Sequence, residues 1–144
     1  MSKLPAVASR GRSAFWNFMA QRYARTPISD QAAYDEKIRL TQSHLSASSR
    51  VLEIACGTGS TALLHAPLVE HIHATDISRE MIQIAKERAA SGGIENVTFE
   101  EIGIDDLDIP AESLDMVMAH SILHLLEAPE VALEKTYRWL KPGG

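Results

Sequence analysis

From Arg50 onward the chain alternates short apolar runs with stretches of helical periodicity, and few folds accommodate that alternation. Val51-Leu52-Glu53-Ile54-Ala55 is the first such run. A strand that is apolar at consecutive positions is covered on both faces, as strands inside a parallel sheet are. Glu70 to Asp76, Asn96 to Glu101 and Leu114 to Ala119 read as three further strands. Between them, Thr61 to Ala66 reads as a short helix. Ser78 is placed to N-cap a longer one with Met81, Ile84, Ala85 and Ala89 on its core face. Gly92-Gly93 ends that helix. Pro129, at a first helical turn, opens a last one through Leu140 with Leu133, Tyr137 and Leu140 in register. Strands alternating with helices predict an α/β fold with a parallel sheet and right-handed crossovers.

The first 49 residues carry no strand signal. Residues 1–12 lack apolar periodicity and are expected to form a disordered tail. Phe15, Phe18, Met19 and Tyr23 then recur at helical spacing until Pro27 ends the pattern. Asp30 is a candidate N-cap for a second helix with Tyr34, Ile38, Thr41 and Leu45 on one side. Two helices spanning residues 13–48 therefore precede an α/β domain that occupies residues 49–144, all within a length that fits one domain.

Composition narrows the function. Five of the 14 basic residues fall in the first 25 positions, which hold no acid, so the rest of the chain sets nine basic groups against 19 acidic ones. A body that negative repels a phosphate backbone, which argues against nucleic acid as a partner. No apolar run approaches the roughly 18 residues needed to span a bilayer. The basic N-terminus reads as a tail leading into a helix, not as a transit peptide. The single cysteine, Cys56, fits a reducing, cytoplasmic setting.

In open parallel sheets, ligands bind outside the carboxyl ends of the strands. After the first strand, Gly57 and Gly59 permit positive φ and close approach of a ligand to the backbone. The following helix offers unpaired N–H groups to a carboxylate or phosphate. Glu53 is placed to take a ligand ammonium, and an acid there is an odd choice for binding phosphate. Asp76 ends the second strand, where its two oxygens can accept both hydroxyls of a ribose. Replacing it with alanine is expected to abolish binding with little loss of fold. Gly103-Ile104-Asp105-Asp106 follows the third strand, where a carboxylate can accept from an adenine amino group. His120 and Ser121 end the fourth.

These segments resemble class I S-adenosylmethionine-dependent methyltransferases. VLEIACGTG is similar to their glycine-rich first motif, HATDIS to their second-strand acid, LDMVMAHSILHLL to their fourth-strand segment and LKPGG to the turn before their fifth strand. The opening FWNFMAQRYAR resembles the helical cap of small-molecule members. The resemblance implies a Rossmann-like sheet of strand order 3-2-1-4, incomplete because strands five to seven are absent. It also implies S-adenosylmethionine as cofactor and a small-molecule acceptor. Glu53 and Gly57, with Ala55 and Cys56 between them, would hold the methionine end. Gly59 would shape the loop, and Asp76, with Ile77 beside it, would bind the ribose. Ile104 falls where one register puts the family's adenine acid, and Asp105 is the neighbouring candidate. Ala55 replaces the motif's first glycine, a change accommodated if its φ is negative. The closing Pro-Gly-Gly turn leads nowhere, as in a fragment.

Competing readings accompany these. Gly57-Thr58-Gly59-Ser60-Thr61-Ala62 also satisfies a dinucleotide-binding pattern with Asp76 as the ribose acid, the signature of an NAD-binding oxidoreductase. A truncated chain could equally bind cofactor without catalysing anything. His120 is a candidate for acceptor contact or general base because histidine titrates near neutrality. His124 lies four residues on, but no third ligand accompanies the pair and no metal site is expected. His71 and His73 share a strand face and read as structural. Tyr23 is a candidate cofactor contact that fits ordinary packing equally well.

Overall fold

The computed structural model describes residues 6–144 of the chain, with side chains described from Arg12 onward. Its elements run α1 (Ala6–Arg25), α2 (Gln31–Gln42), β1 (Arg50–Ile54), α3 (Ser60–His65), β2 (His71–Asp76), α4 (Arg79–Ser91), β3 (Val97–Glu101), β4 (Met116–Met118) and α5 (Pro129–Trp139). The four strands form one parallel sheet in the order β3-β2-β1-β4. This is the 3-2-1-4 arrangement of a Rossmann-like fold.

Side chains of successive strand residues point to opposite faces, and the two faces are filled differently. Val51, Ile72, Ala74, Phe99 and Met118 join Ala62 of α3, Ala66 just after it, and Ile82, Ala85 and Ala89 of α4 in one core. Leu52 and Ile54 join Ala132 and Trp139 of α5, with Ile104, Leu107 and Leu114, in the other. Where α5 does not reach, the second face is polar. There His71 bonds Thr98 at 2.8 Å and His73 bonds Glu100 at 2.7 Å, so the two histidines tie β2 to β3.

The N-terminal helices pack outside this frame. Ala20 of α1, fully buried, packs with Met81 and Ile84 of α4, flanked by Trp16 and Ala24. Asn17 Oδ1 accepts from Ser78 Oγ at 2.7 Å and from the Glu80 amide at 3.2 Å. Asp30 caps α2 by accepting from the Ala33 amide at 3.0 Å, and Ser78 caps α4 by accepting from Met81.

Three expectations need correction. First, α1 begins at Ala6, within the stretch expected to be a disordered tail. Ala6, Ala8 and Arg10 have high intrinsic helix propensity, which sustains a helix without apolar periodicity; residues 1–5 lie outside the described chain. Second, the face of α5 expected to be inward is turned outward: Leu133 is 54% and Tyr137 82% exposed, while Ala132 and Trp139 are buried. Third, β4 is confined to Met116–Met118, and Leu114 forms an isolated parallel bridge with Leu140. The Asp115 carboxylate is engaged instead, accepting from the Arg50 amide at 2.8 Å and contacting Lys141 at 3.2 Å.

Candidate cofactor and acceptor cleft

The carboxyl ends of β1 and β4 open into a cleft of about 510 Å³ roofed by α1, α2 and the connection between them. Glu53, Ala55, Cys56 and Gly57 form its floor, and His120 and Ser121 one wall. The roof is Tyr23, Ile28 to Asp30, Ala33, Tyr34 and Lys37, with Thr61 at the side.

The floor turns sharply because Ala55, Gly57 and Gly59 all adopt left-handed φ, at 57°, 57° and 82°. The negative φ on which the Ala55 replacement was conditioned is therefore not what the chain adopts. A left-handed alanine is strained by roughly 1 kcal/mol or more because its Cβ crowds the following carbonyl. The other two positions need glycine for different reasons. At Gly57 it is the left-handed φ that favours glycine, since an added Cβ would make only ordinary contact, 3.6 Å, with the Tyr23 ring that packs over the turn. A Cβ on Gly59 would meet Ala85 Cβ at 2.9 Å and the Phe99 ring at 3.0 Å, so Gly59 lets α4 and β3 close against the turn.

Asp76 locks the turn from below. One carboxylate oxygen accepts from the Gly57 amide and the other from the Ser78 amide, both at 2.9 Å. Burial raises its pKa, opposed by the backbone N–H groups of Ser78, Gly57 and Ile77. Each oxygen keeps a second lone pair, so acceptance from a ligand remains open. Arg88 of α4 adds a further tie, donating to Thr58 Oγ1 at 2.8 Å, Ser60 Oγ at 3.0 Å and the Ala24 carbonyl at 3.2 Å.

Glu53 is the chemically unusual member. It is 2% exposed, and its Oε2 has no hydrogen-bond partner among the described residues. Burial pushes its carboxyl up to about 8, a rise that Lys37 opposes and Asp76 reinforces. Without a ligand the carboxyl is mostly protonated near neutral pH, and a cation entering the cleft would draw its pKa down and supply the missing partner. His120 also faces the cleft with a buried, unpartnered Nε2. Burial, then Lys37 and His65, hold its imidazole below the usual range, so it is neutral near pH 7 and able to accept a proton. Cys56 is inert by the same reasoning, since burial, Glu53 and Asp76 all disfavour its thiolate.

Of the residues singled out from sequence, the cleft brings together Glu53, Ala55, Cys56, Gly57, His120 and Tyr23. Gly59 and Asp76 support the floor from behind it. Ile77 and Gly103 lie side by side, 3.4 Å separating Ile77 Cγ2 from the place of a Gly103 Cβ, beyond the lined volume. Ile104 is buried in the second core, and Asp105 is exposed. His124 is exposed in the short turn Leu123–Leu125 and is not among the residues lining the cleft. Sequence reasoning missed Lys37 and Thr61. Lys37 lies three residues beyond Tyr34 on the inward side of α2, so the helical period that picked out Tyr34 marks it as well. Thr61 accepts or donates a 3.0 Å bond with the Tyr34 hydroxyl, which fixes α2 over the start of α3.

Residues 51–144 match a family model described as a methyltransferase domain. An uncharacterised methyltransferase of Bacillus subtilis, YcgJ, is 33% identical over 98 residues, covering 68% of this chain and 39% of the relative. A demethylmenaquinone methyltransferase of Clavibacter sepedonicus is 29% identical over the whole of this chain and 58% of its own length. The chain thus spans less than two thirds of the length of these relatives. The crystal structure of YcgJ superposes with a TM-score of 0.70 at 29% identity, over 74% of this chain and 47% of that one. The [4+2]-cyclase SpnF superposes with a TM-score of 0.81 over 94% of this chain and 58% of that one, at 22% identity, a likeness of fold. The family match favours the methyltransferase motifs over the dinucleotide alternative that the same glycines allow. Glycine turn, second-strand acid, sheet order and family model agree, and the chain belongs to the class I S-adenosylmethionine-dependent methyltransferases.

Proposed function

We propose that this chain binds S-adenosylmethionine in the cleft over Gly57 and transfers its methyl group to a small-molecule acceptor. The observation that carries the reading is Glu53. A buried carboxyl with an unpaired oxygen, at the floor of a glycine turn, suits an ammonium and suits a phosphate poorly. The donor set fits the cofactor in its other parts. Left-handed Gly57 removes the side chain that would bar close approach, and Asp76 at the end of β2 retains lone pairs for ribose hydroxyls.

When bound, the cofactor supplies an electrophilic methyl group, so the protein's task is to hold two reactants in line and keep water out. Tyr23 covers the turn, and α2 closes the roof through Tyr34 and Thr61. Neutral His120, on the wall at the end of β4, is the group able to take a proton from an acceptor of high pKa. The cleft volume of about 510 Å³ and the net negative body favour a small acceptor over nucleic acid. Among the described residues no helix is long and apolar enough to cross a membrane; a cytoplasmic setting suits the lone, buried Cys56.

Calorimetric titration with S-adenosylhomocysteine, run in parallel with NAD, tests the reading. Saturable binding of the first alone is expected. Binding of NAD alone would overturn it. Methyl-transfer assays over a panel of small acceptors then separate an enzyme from a chain that binds cofactor without turnover.

A further inference from the structure

A surface helix ordinarily turns its apolar stripe inward and its polar residues to water. α1 departs from this. Ala20, Ala24, Trp16 and Asn17 face α4, and the opposite stripe carries Phe15, Phe18, Arg22 and Arg25 at helical spacing, all exposed. Phe15 is 54% exposed and meets the Trp16 ring edge-on, whereas Phe18 stands 86% in solvent. The turn Leu123–Leu125 is fastened beside the same helix, because Arg12 donates to the Leu125 carbonyl at 2.6 Å and meets Glu127 at 3.6 Å. Leu123 and Leu125 are exposed there as well. Tyr23 and Ile28, also exposed, carry the surface on to the cleft they line.

Charge gives this face its partner. The side chains of Arg22 and Arg25 have no hydrogen bond or ion pair with a described residue. The acids of the neighbouring helix are engaged elsewhere: Asp30 caps α2, Asp35 accepts from Gln31 at 2.7 Å, and Glu36 pairs with Arg39 at 2.6 Å. The first 25 residues hold five basic groups and no acid, while the rest of the chain sets nine basic groups against 19 acidic ones. An anionic surface therefore attracts α1 and repels the body, which fixes the orientation of approach. Aromatic rings flanked by guanidinium groups suit a lipid headgroup layer, where the rings enter the acyl boundary and the cations meet phosphates. A second copy suits the face poorly, since a two-fold contact sets Arg22 and Arg25 against the same arginines of the other chain.

We propose that the outward face of α1, with the turn Leu123–Leu125 beside it, docks on an anionic lipid bilayer. Phe15 and Phe18 seat at the headgroup boundary, and Arg22 and Arg25 bind lipid phosphates. The contact is peripheral and involves no membrane-spanning helix, of which the described residues have none. Docking in this way holds the mouth of the cleft, at Tyr23 and Ile28, against the bilayer surface.

The test is co-sedimentation of the full chain with vesicles of phosphatidylcholine alone and of equimolar phosphatidylcholine and phosphatidylglycerol, with circular dichroism to verify folding. Binding to the anionic vesicles only, weakening as salt is raised, is expected. Replacing both arginines (Arg22→Gln with Arg25→Gln) should lower the partition coefficient roughly thirtyfold, the effect of two basic groups near an anionic surface. Phe18→Ser should lower it about tenfold. Arg22→Lys with Arg25→Lys should retain binding, and Leu133→Ser, on the exposed side of α5, should leave it unchanged. No binding of the folded chain to anionic vesicles overturns the proposal, as does equal binding to both vesicle types or an equal loss with Leu133→Ser. Light scattering that shows a dimer dissolved by Phe18→Ser would assign the face to a second copy instead. The assay contains no cofactor, so its outcome is independent of the proposed methyl transfer.

Discussion

At the scale of single residues, the cleft stores cost in two places. Glu53 is buried without a partner for Oε2, and its carboxyl titrates at about 8 against an ordinary value of 4.5. The folded chain therefore binds more protons than the unfolded chain between those pH values. Stability from this group is complete below the unfolded pKa and is lost as pH rises through the folded one. Urea unfolding of the ligand-free protein should show stability falling from pH 5 to pH 8, and Glu53→Gln should remove most of that slope. A difference between the two proteins on the order of a few kcal/mol is expected at the alkaline end. Equal slopes would mean that Glu53 is solvated or paired in solution. The second cost is Ala55, held at φ 57°. Ala55→Gly relieves the left-handed strain but frees the unfolded chain, and the net gain expected is about 1 kcal/mol by chemical denaturation. A loss of stability would contradict the backbone described here.

At the scale of elements, Asp76 joins the turn after β1 to the start of α4, and this bears on how its mutants should be read. From sequence, Asp76→Ala is expected to spare the fold. With both carboxylate oxygens accepting from the amides of Gly57 and Ser78, alanine instead leaves two poorly solvated N–H groups unpaired. A loss of about 2–4 kcal/mol is expected in thermal or urea unfolding, alongside lost cofactor affinity. Asp76→Asn, which keeps one acceptor oxygen, should lose less stability; if the two variants unfold alike, the amide bonds are not what the carboxylate supports. Legibility also differs by element. β1 and the core face of α4 were readable because burial on both faces, or along one helical stripe, writes itself into consecutive or spaced apolar residues. In α5 two stripes compete, and Leu133 with Tyr137 looks more apolar than Ala132 with Trp139. Which stripe turns inward depends on the space against Leu52 and Ile54, a tertiary fact that periodicity does not carry.

At the scale of the whole molecule, the parallel sheet and the position of the cleft followed from the alternation of elements and the glycine turn, and the strand order from the family resemblance. The roof did not, because it is made by helices some twenty to forty residues upstream whose docking depends on a few long-range bonds. Lys37 falls on the same helical stripe as Tyr34, but on an isolated helix it is an ordinary solvated charge, and it comes to line the cleft only once α2 lies over β1. The Ala55 dihedral and the unpaired Glu53 oxygen are likewise properties of the assembled turn. Arg88 has a consequence of its own here. One guanidinium, carried by α4, grips the last turn of α1, the glycine turn and the first residue of α3. The cap and the floor of the cleft therefore share a fastening, and the free energy of docking one is linked to that of ordering the other. By thermodynamic reciprocity, whatever fills the cleft tightens the hold on the N-terminal helix, and whatever loosens that helix is felt as weaker binding below it.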